Sequence, residues 1–191
     1  MKENKDKFKE VIACDYYRNK GKEIKKLSIL KVFLRRRNDP MKFIYCFRCA
    51  QWFYDFPILK NIFHKMYLHY SNKYNIEISV NTKIGSGLRI PHWAGGIVIH
   101  ENAILGRNCE IMQGVTIGNN IMKSRKDVAT IGDNVILGAG SKIIGNISIG
   151  SNVFVGANAV VVKDIPSNSC VGGVPSKILK SNFKPIIINE I

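Results

Sequence analysis

Of the four histidines in the chain, His92 sits where chemistry is easiest to imagine. It lies in Ile90-Pro91-His92-Trp93-Ala94-Gly95-Gly96, at an interruption in a six-residue rhythm of aliphatic residues. An imidazole placed there could take a proton from a hydroxyl near neutral pH, or it could be an ordinary surface side chain. The residues alone leave both readings open. Cys46 and Cys49 have the Cys-x-x-Cys spacing of a redox or zinc pair, but they fall inside an apolar helical pattern with no second pair, which reads as buried thiols. Gly85-Ser86-Gly87 lacks the strand-to-helix context of a phosphate loop and reads as a corner. A polar run from Asn119 to Asp127 marks a second interruption of the rhythm.

The elements that must position these residues are set by the rhythm. Aliphatic side chains recur every six residues at Ile78, Ile84 and Ile90, at Ile99, Leu105, Ile111 and Ile117, and at Ile131, Leu137, Ile143, Ile149, Val155 and Val161. A unit with one inward aliphatic residue, and Gly, Asn or Asp nearby to accept tight-corner dihedrals, suits one face of a coiled parallel sheet, three faces to a turn. Nine residues instead of six separate Ile90 from Ile99, and fourteen instead of twelve separate Ile117 from Ile131. A packed coil cannot absorb extra residues, so both excesses must bulge outward, and both are candidate walls of a site.

Before the coil the period is helical. Apolar residues three and four apart predict one helix from Pro40 and a second begun by Pro57, a first-turn proline. Residues 4–37 form a weaker helical region ending in Arg35-Arg36-Arg37, either a solvated helix end or a contact for an anionic surface. The expected divisions are a helical region 1–75, a β-helix 76–166 and a C-terminal tail 167–191.

The net charge is +15, of which +10 lies in residues 1–70. That predicts attraction to anions, and the interleaved Phe, Trp and Tyr raise a peripheral contact with an anionic membrane as one expectation, packing of the helices onto the coil being the other. No groove-reading motif accompanies the charge, so nucleic acid is not expected. The charged start is unlike a secretory leader, and no window approaches the roughly 18 apolar residues of a spanning helix, which predicts a cytoplasmic chain. Five scattered cysteines suggest no disulfide framework there.

Three stretches, KIGSGLRIPHWAGGIVIHENAILGRNCEIMQGVTIG, TIGDNVILGAGSKIIGNISIGSNVFVGANAVV and VKDIPSNSCVGGVPSKIL, resemble the hexapeptide-repeat acyltransferases, in their serine O-acetyltransferase-like branch. The resemblance covers about residues 75–180. It implies a left-handed parallel β-helix, mainly β in class, assembled as a homotrimer with acetyl-CoA as donor bound between neighbouring subunits, and no metal. The two helices before the coil are similar to those of acetyltransferases of capsular and colanic-acid polysaccharide synthesis.

By that resemblance His92 is the catalytic base and Glu77 the carboxylate that orients it. Such a carboxylate fixes the tautomer of an imidazole and stabilises the imidazolium that forms. Gly118, Asn119, Ala139 and Ala157 fall where backbone meets the pantetheine arm, and Lys142, Lys163 and Lys177 where cations meet the phosphates of CoA. Trp93 and Asp127 fall on the acceptor side. Two positions depart from serine acetyltransferases. Pro91 replaces the Asp that holds the serine ammonium, and Asp127-Val128-Ala129 replaces an Arg-His-Pro whose His helps bind serine. An ammonium buried without counter-charge is costly, so the expected acceptor is a sugar or polysaccharide hydroxyl. Serine O-acetyl transfer is the first alternative, and a non-catalytic trimeric scaffold at a membrane surface the second.

Overall fold

A computed structural model describes residues 2–25, 27–35 and 38–189. Arg36 and Arg37 of the basic triplet lie outside the described residues. Among the described residues four helices come first: α1 (Lys2–Lys20), α2 (Ser28–Leu34), α3 (Pro40–Trp52) and α4 (Pro57–Tyr74). Asp39 caps α3 through Met41 N, with proline in the first turn of both α3 and α4. Asn75, in the left-handed region at φ 52°, ends α4 and turns the chain into the first strand.

From that strand onward the chain winds into a three-sided coil whose strands stack turn upon turn. The first sheet holds β1 (Ile76–Ile78), β3 (Ile97–Ile99), β6 (Thr116–Gly118), β9 (Lys142–Ile144) and β12 (Val160–Val161). The second holds β2 (Lys83–Ile84), β4 (Ile104–Leu105), β7 (Thr130–Ile131) and β10 (Ser148–Ile149). The third holds β5 (Glu110–Ile111), β8 (Ile136–Leu137), β11 (Phe154–Val155) and β13 (Cys170–Gly172), closed by β14 (Lys177–Lys180), which pairs antiparallel with β13.

Register turns the six-residue rhythm into columns. Ile78, Ile99, Ile117, Ile143 and Val161 stack in the first sheet, and Ile84, Leu105, Ile131 and Ile149 in the second. Ile111, Leu137, Val155 and Val171 stack in the third. All are buried. One corner carries Asn108, Asn134, Asn152 and Asn168, each at φ between 55° and 58°. Their amides form a ladder, Asn108 Nδ2 to Asn134 Oδ1 at 3.0 Å, Asn134 to Asn152 at 3.1 Å and Asn152 to Asn168 at 2.9 Å. Asparagine tolerates this backbone region, and here its side chain also satisfies its neighbours.

Two expected boundaries change. Ile117 stacks in the first sheet and Ile131 in the adjacent second, so fourteen residues replace a single step of six and eight leave the coil, not two. The coil also runs past residue 166, because β13 continues the third sheet in parallel pairing with β11. The C-terminal segment then turns back along the coil. Phe183 N donates to Asn168 O at 2.7 Å in the last turn, while Arg18 donates to Ile188 O and Asn189 Nδ2 reaches Tyr17 O at 3.3 Å beside α1.

The helices close the coil's first turn and share its core, one apolar cluster running from Phe43, Phe47 and Tyr67 to Val171. Side chains meet the backbone groups of that turn one after another. Tyr67 OH donates to Ile78 O at 2.5 Å, and Gln51 Nε2 to Val80 O and Thr82 O at 2.9 and 3.0 Å. Arg48 donates to Ile84 O and Gly85 O at 2.7 and 2.6 Å, and Asn19 Nδ2 to Leu88 O at 2.8 Å. Buried Asp15 accepts from Leu88 N at 2.8 Å while pairing with Arg48 Nε at 2.8 Å. Cys46 and Cys49 are buried in α3, where burial pushes both thiols up to about 12. Among the described residues no helix is long and apolar enough to cross a membrane.

Removing one partner of the Asp15–Arg48 pair leaves a buried charge and orphans coil carbonyls. Arg48→Ala should therefore cost about 3–5 kcal/mol, read as a large fall in the midpoint of urea unfolding.

Candidate active site

The chain leaves the third sheet after Ile90, whose neighbour Arg89 bridges to Glu110, and rejoins the first sheet at Ile97. Residues 91–96 form the first bulge, held at its return end by α4 and β1. Gly95 N donates to Tyr74 O at 2.9 Å, Ile97 N to Asn75 O at 3.2 Å, and Gly114 N to Gly95 O at 2.6 Å. A Cβ on Gly95 would stand 2.7 Å from Ile76 Cγ1, so the backbone can press against β1 only as glycine. Gly96 is next, at φ 55°. With the return pinned inward, His92, Trp93 and Ala94 are exposed, and the Trp93 ring meets the Tyr74 ring edge-on at 6.4 Å.

Glu77 is the outward residue of β1, in register with Val98 just beyond the bulge. It is exposed, and it lies close enough to the Tyr67 phenol to add to the upward push that burial gives that group. The bulge leads into β3, and Glu77 lies on β1, the strand paired with β3 in the first sheet. Among the described residues neither His92 nor Glu77 has a side-chain hydrogen-bond partner, leaving both groups open to solvent.

Below the bulge runs a corner of small residues. Ala139 and Ala157 each lie two residues after an inward aliphatic of the third sheet, Leu137 and Val155, as His92 lies two after Ile90. Backbone bonds tie the corner into one column: Gly140 N to Gln113 O and Asn158 N to Ala139 O, both at 2.8 Å. Gln113 occupies the same place after Ile111, is exposed, and is not among the residues that the sequence alone singles out. Its position in the repeat is the signal that would have found it.

The remaining candidates lie elsewhere. Gly118 and Asn119 stand at the other end of the first sheet, where the second bulge begins. That bulge is a folded loop: Asn119 Nδ2 donates to Arg125 O at 2.7 Å, Asn102 Nδ2 to Lys126 O at 3.0 Å, and Asp127 N to Ser124 Oγ at 3.3 Å. Asp127 is exposed, while Val128 and Ala129 are buried in the coil. The strands of the first sheet separate Asp127 from His92 within one chain. Lys163 and Lys177 are exposed near the last turn. Lys142 differs, since its ammonium donates to Gly114 O at 2.5 Å and Thr116 Oγ1 at 3.1 Å and is committed to the wall rather than to a ligand phosphate.

Residues 96–122 match the family described as hexapeptide repeat of succinyl-transferase, and residues 129–163 match bacterial transferase hexapeptide (six repeats). A solved serine acetyltransferase of Neisseria gonorrhoeae, in complex with serine, is 30% identical and superposes over 94% of this chain and 70% of its own, with a TM-score of 0.69. The chain belongs to the hexapeptide-repeat acyltransferases. The coil of this chain is accordingly the left-handed parallel β-helix of that family.

The serine acetyltransferase of Brucella abortus, solved with coenzyme A, is 28% identical over 93% of this chain and 68% of its own, with a TM-score of 0.70. Among curated proteins, the serine acetyltransferase of Synechococcus elongatus is 39% identical over 137 residues, 70% of this chain and 54% of its own. That of Staphylococcus epidermidis is 47% identical over 111 residues, 58% and 52%. The chain spans about half the length of the curated relatives it matches. These matches overturn the expected sugar or polysaccharide acceptor: the proteins this chain resembles are serine acetyltransferases, and the likeness to polysaccharide O-acetyltransferases has no support among them.

The second bulge is shaped by a backbone turn on Asn120 O and by side-chain bonds that include Asn119 Nδ2 to Arg125 O. Asn119→Ala should speed amide hydrogen exchange about fivefold at Met122, Lys123 and Ser124, the loss of one hydrogen bond of about 1 kcal/mol, without moving the melting temperature.

Proposed function

We propose that the chain is a serine O-acetyltransferase that uses acetyl-CoA as donor and has His92 as its general base. The likeness over 94% of the chain to an acetyltransferase solved with serine carries the proposal, together with an exposed imidazole on the bulge. His92 takes the proton of the serine hydroxyl as its oxygen attacks the thioester carbonyl. The carbon–sulfur bond then breaks, the acetyl group stays on serine, and the imidazolium returns its proton to the departing CoA thiolate. Glu77, on the strand paired with β3, orients the ring and stabilises its charged form.

In this reading the pantetheine arm runs along the small-residue corner of Ala139 and Ala157, with Lys163 and Lys177 near the phosphates at the last turn. The second wall comes from Gly118, Asn119 and the loop to Asp127, which sit across the first sheet from His92. A neighbouring copy must therefore present them, which is why the active form is a homotrimer with a site at each seam. Trp93 walls the acceptor. Asp127, whose carboxylate has no partner among the described residues, takes the serine ammonium that a residue at position 91 would otherwise hold, while Arg125 and Lys126 beside it face the serine carboxylate.

His92→Ala should lower kcat by about a hundredfold to ten-thousandfold and leave the trimer intact, and Glu77→Gln should give a smaller loss. His100→Ala serves as control, because Nδ1 of His100 accepts from Asn102 N at 3.1 Å and shapes a corner. Release of CoA thiol from acetyl-CoA, measured with and without serine, decides the matter. Serine-independent release, or a fully active His92→Ala protein, would overturn the reading.

The ammonium assignment separates binding from chemistry. Asp127→Asn should raise the serine KM about tenfold to a hundredfold with kcat little changed, the cost of one charge-assisted contact of roughly 1.5–3 kcal/mol. Pro91→Asp should restore the KM in that background. An unchanged KM in Asp127→Asn would remove Asp127 from the site.

A further inference from the structure

A cavity of about 680 Å³ lies between the end of α1, the connector after it, and α2, far in sequence from the acyltransfer site. Its floor includes Tyr16 and Val32, 5% and 4% exposed. Its walls carry Lys22, Lys25, Lys31 and Arg35 against a single carboxylate, Glu23. Lys20 also lines it but is neutralised by Asp39. The four other cations have no ion-pair partner among the described residues, although each adds to the self-repulsion of a strongly basic region. A dianion or a phosphodiester would relieve that repulsion.

The rim indicates what carries the anion. α2 turns Ser28 and Val32 inward, whereas Leu27, Leu30 and Leu34 are 56%, 52% and 72% exposed. Their spacing of three and four puts the leucines in one stripe, with Lys31 and Arg35 beside it on the cavity side. A free phosphate ester would use the cations and leave the leucines in water. A phospholipid at a bilayer surface would use both, since its headgroup phosphate and acyl chains lie within a few ångströms of each other. We propose that this cavity and the leucine stripe of α2 form a site for an anionic phospholipid, holding the chain at a membrane surface independently of its transferase chemistry.

Sedimentation of the full chain with vesicles tests this directly. The protein should sediment with phosphatidylglycerol-containing vesicles at about 0.1 M salt and not with phosphatidylcholine alone. Lys31→Glu with Arg35→Glu should weaken binding at least tenfold. Leu30→Ser with Leu34→Ser, which changes no charge and touches exposed positions, should weaken it about tenfold while the circular dichroism spectrum and oligomeric mass stay as in the parent. Four results would overturn the proposal: no sedimentation with anionic vesicles, leucine variants that bind as the parent does, leucine variants that lose oligomeric mass because the stripe covers a second copy, or glycerol phosphate binding in solution as tightly as the vesicle.

Discussion

The constraint on which the rest of the molecule depends is the open edge of a solenoid. Every turn of the coil hydrogen-bonds to the turns above and below, so the first turn has one side of its backbone unmatched. Each unmet carbonyl or amide costs about 1–3 kcal/mol when buried, and a full turn exposes enough of them to unravel the coil. The helical region answers this group by group. Gln51, Tyr67, Arg48, Asp15 and Asn19 meet the backbone from Ile78 to Leu88. Solvating that edge with water would leave the apolar column beneath it uncovered, whereas α3 and α4 bring Phe43, Phe47 and Tyr67 into the same core.

The cap also builds the site. The carbonyl of Tyr74 and that of Asn75, at the end of α4, hold the return of the His92 bulge, so the imidazole is located by the element that seals the coil. A bulge one turn further along would rest on another turn of coil and could not be anchored from a helix end. The strain is absorbed by Gly95 and Gly96, one because β1 leaves no room for a Cβ and the other because its φ is positive. Stability of the first turn and placement of His92 are therefore one problem, and damage to the cap reaches the bulge through Tyr74.

Much of this is legible in the residues. The period of six predicts the inward columns from Ile78 to Val161, and Pro40 and Pro57 mark the starts of α3 and α4. The second interruption misleads because phase in a repeat is counted modulo six: fourteen residues look like two steps plus two until register shows Ile117 and Ile131 on adjacent sheets. The end of the coil is hidden because β13 carries its inward Val171 ten residues after Val161, out of phase with the run before it. Lys142 looks like a phosphate ligand because sequence shows a charge but not the Gly114 carbonyl and Thr116 hydroxyl that occupy it. Pro91 points away from serine only while it is considered alone. A missing charge at one position does not by itself exclude a substrate, because a carboxylate elsewhere, such as the exposed Asp127, can carry the same charge.

A column of equivalent positions carries the deeper lesson about how this coil encodes a site. The residue two after each inward aliphatic of the third sheet reaches the same corner in Gln113, Ala139 and Ala157, and Gly95, which accepts from Gly114 N, tops that line with His92 on the bulge just before it. Packing constrains the aliphatic residue and the tight turn constrains the corner glycine or asparagine, but the residue between them faces outward and is set by neither. That freedom lets a uniform scaffold carry a non-uniform surface: an imidazole on the bulge at one end, an amide below it, and methyl groups after that. The repeat supplies spacing of roughly 4.8 Å from turn to turn. The chemistry is written only in the positions that the repeat leaves unassigned.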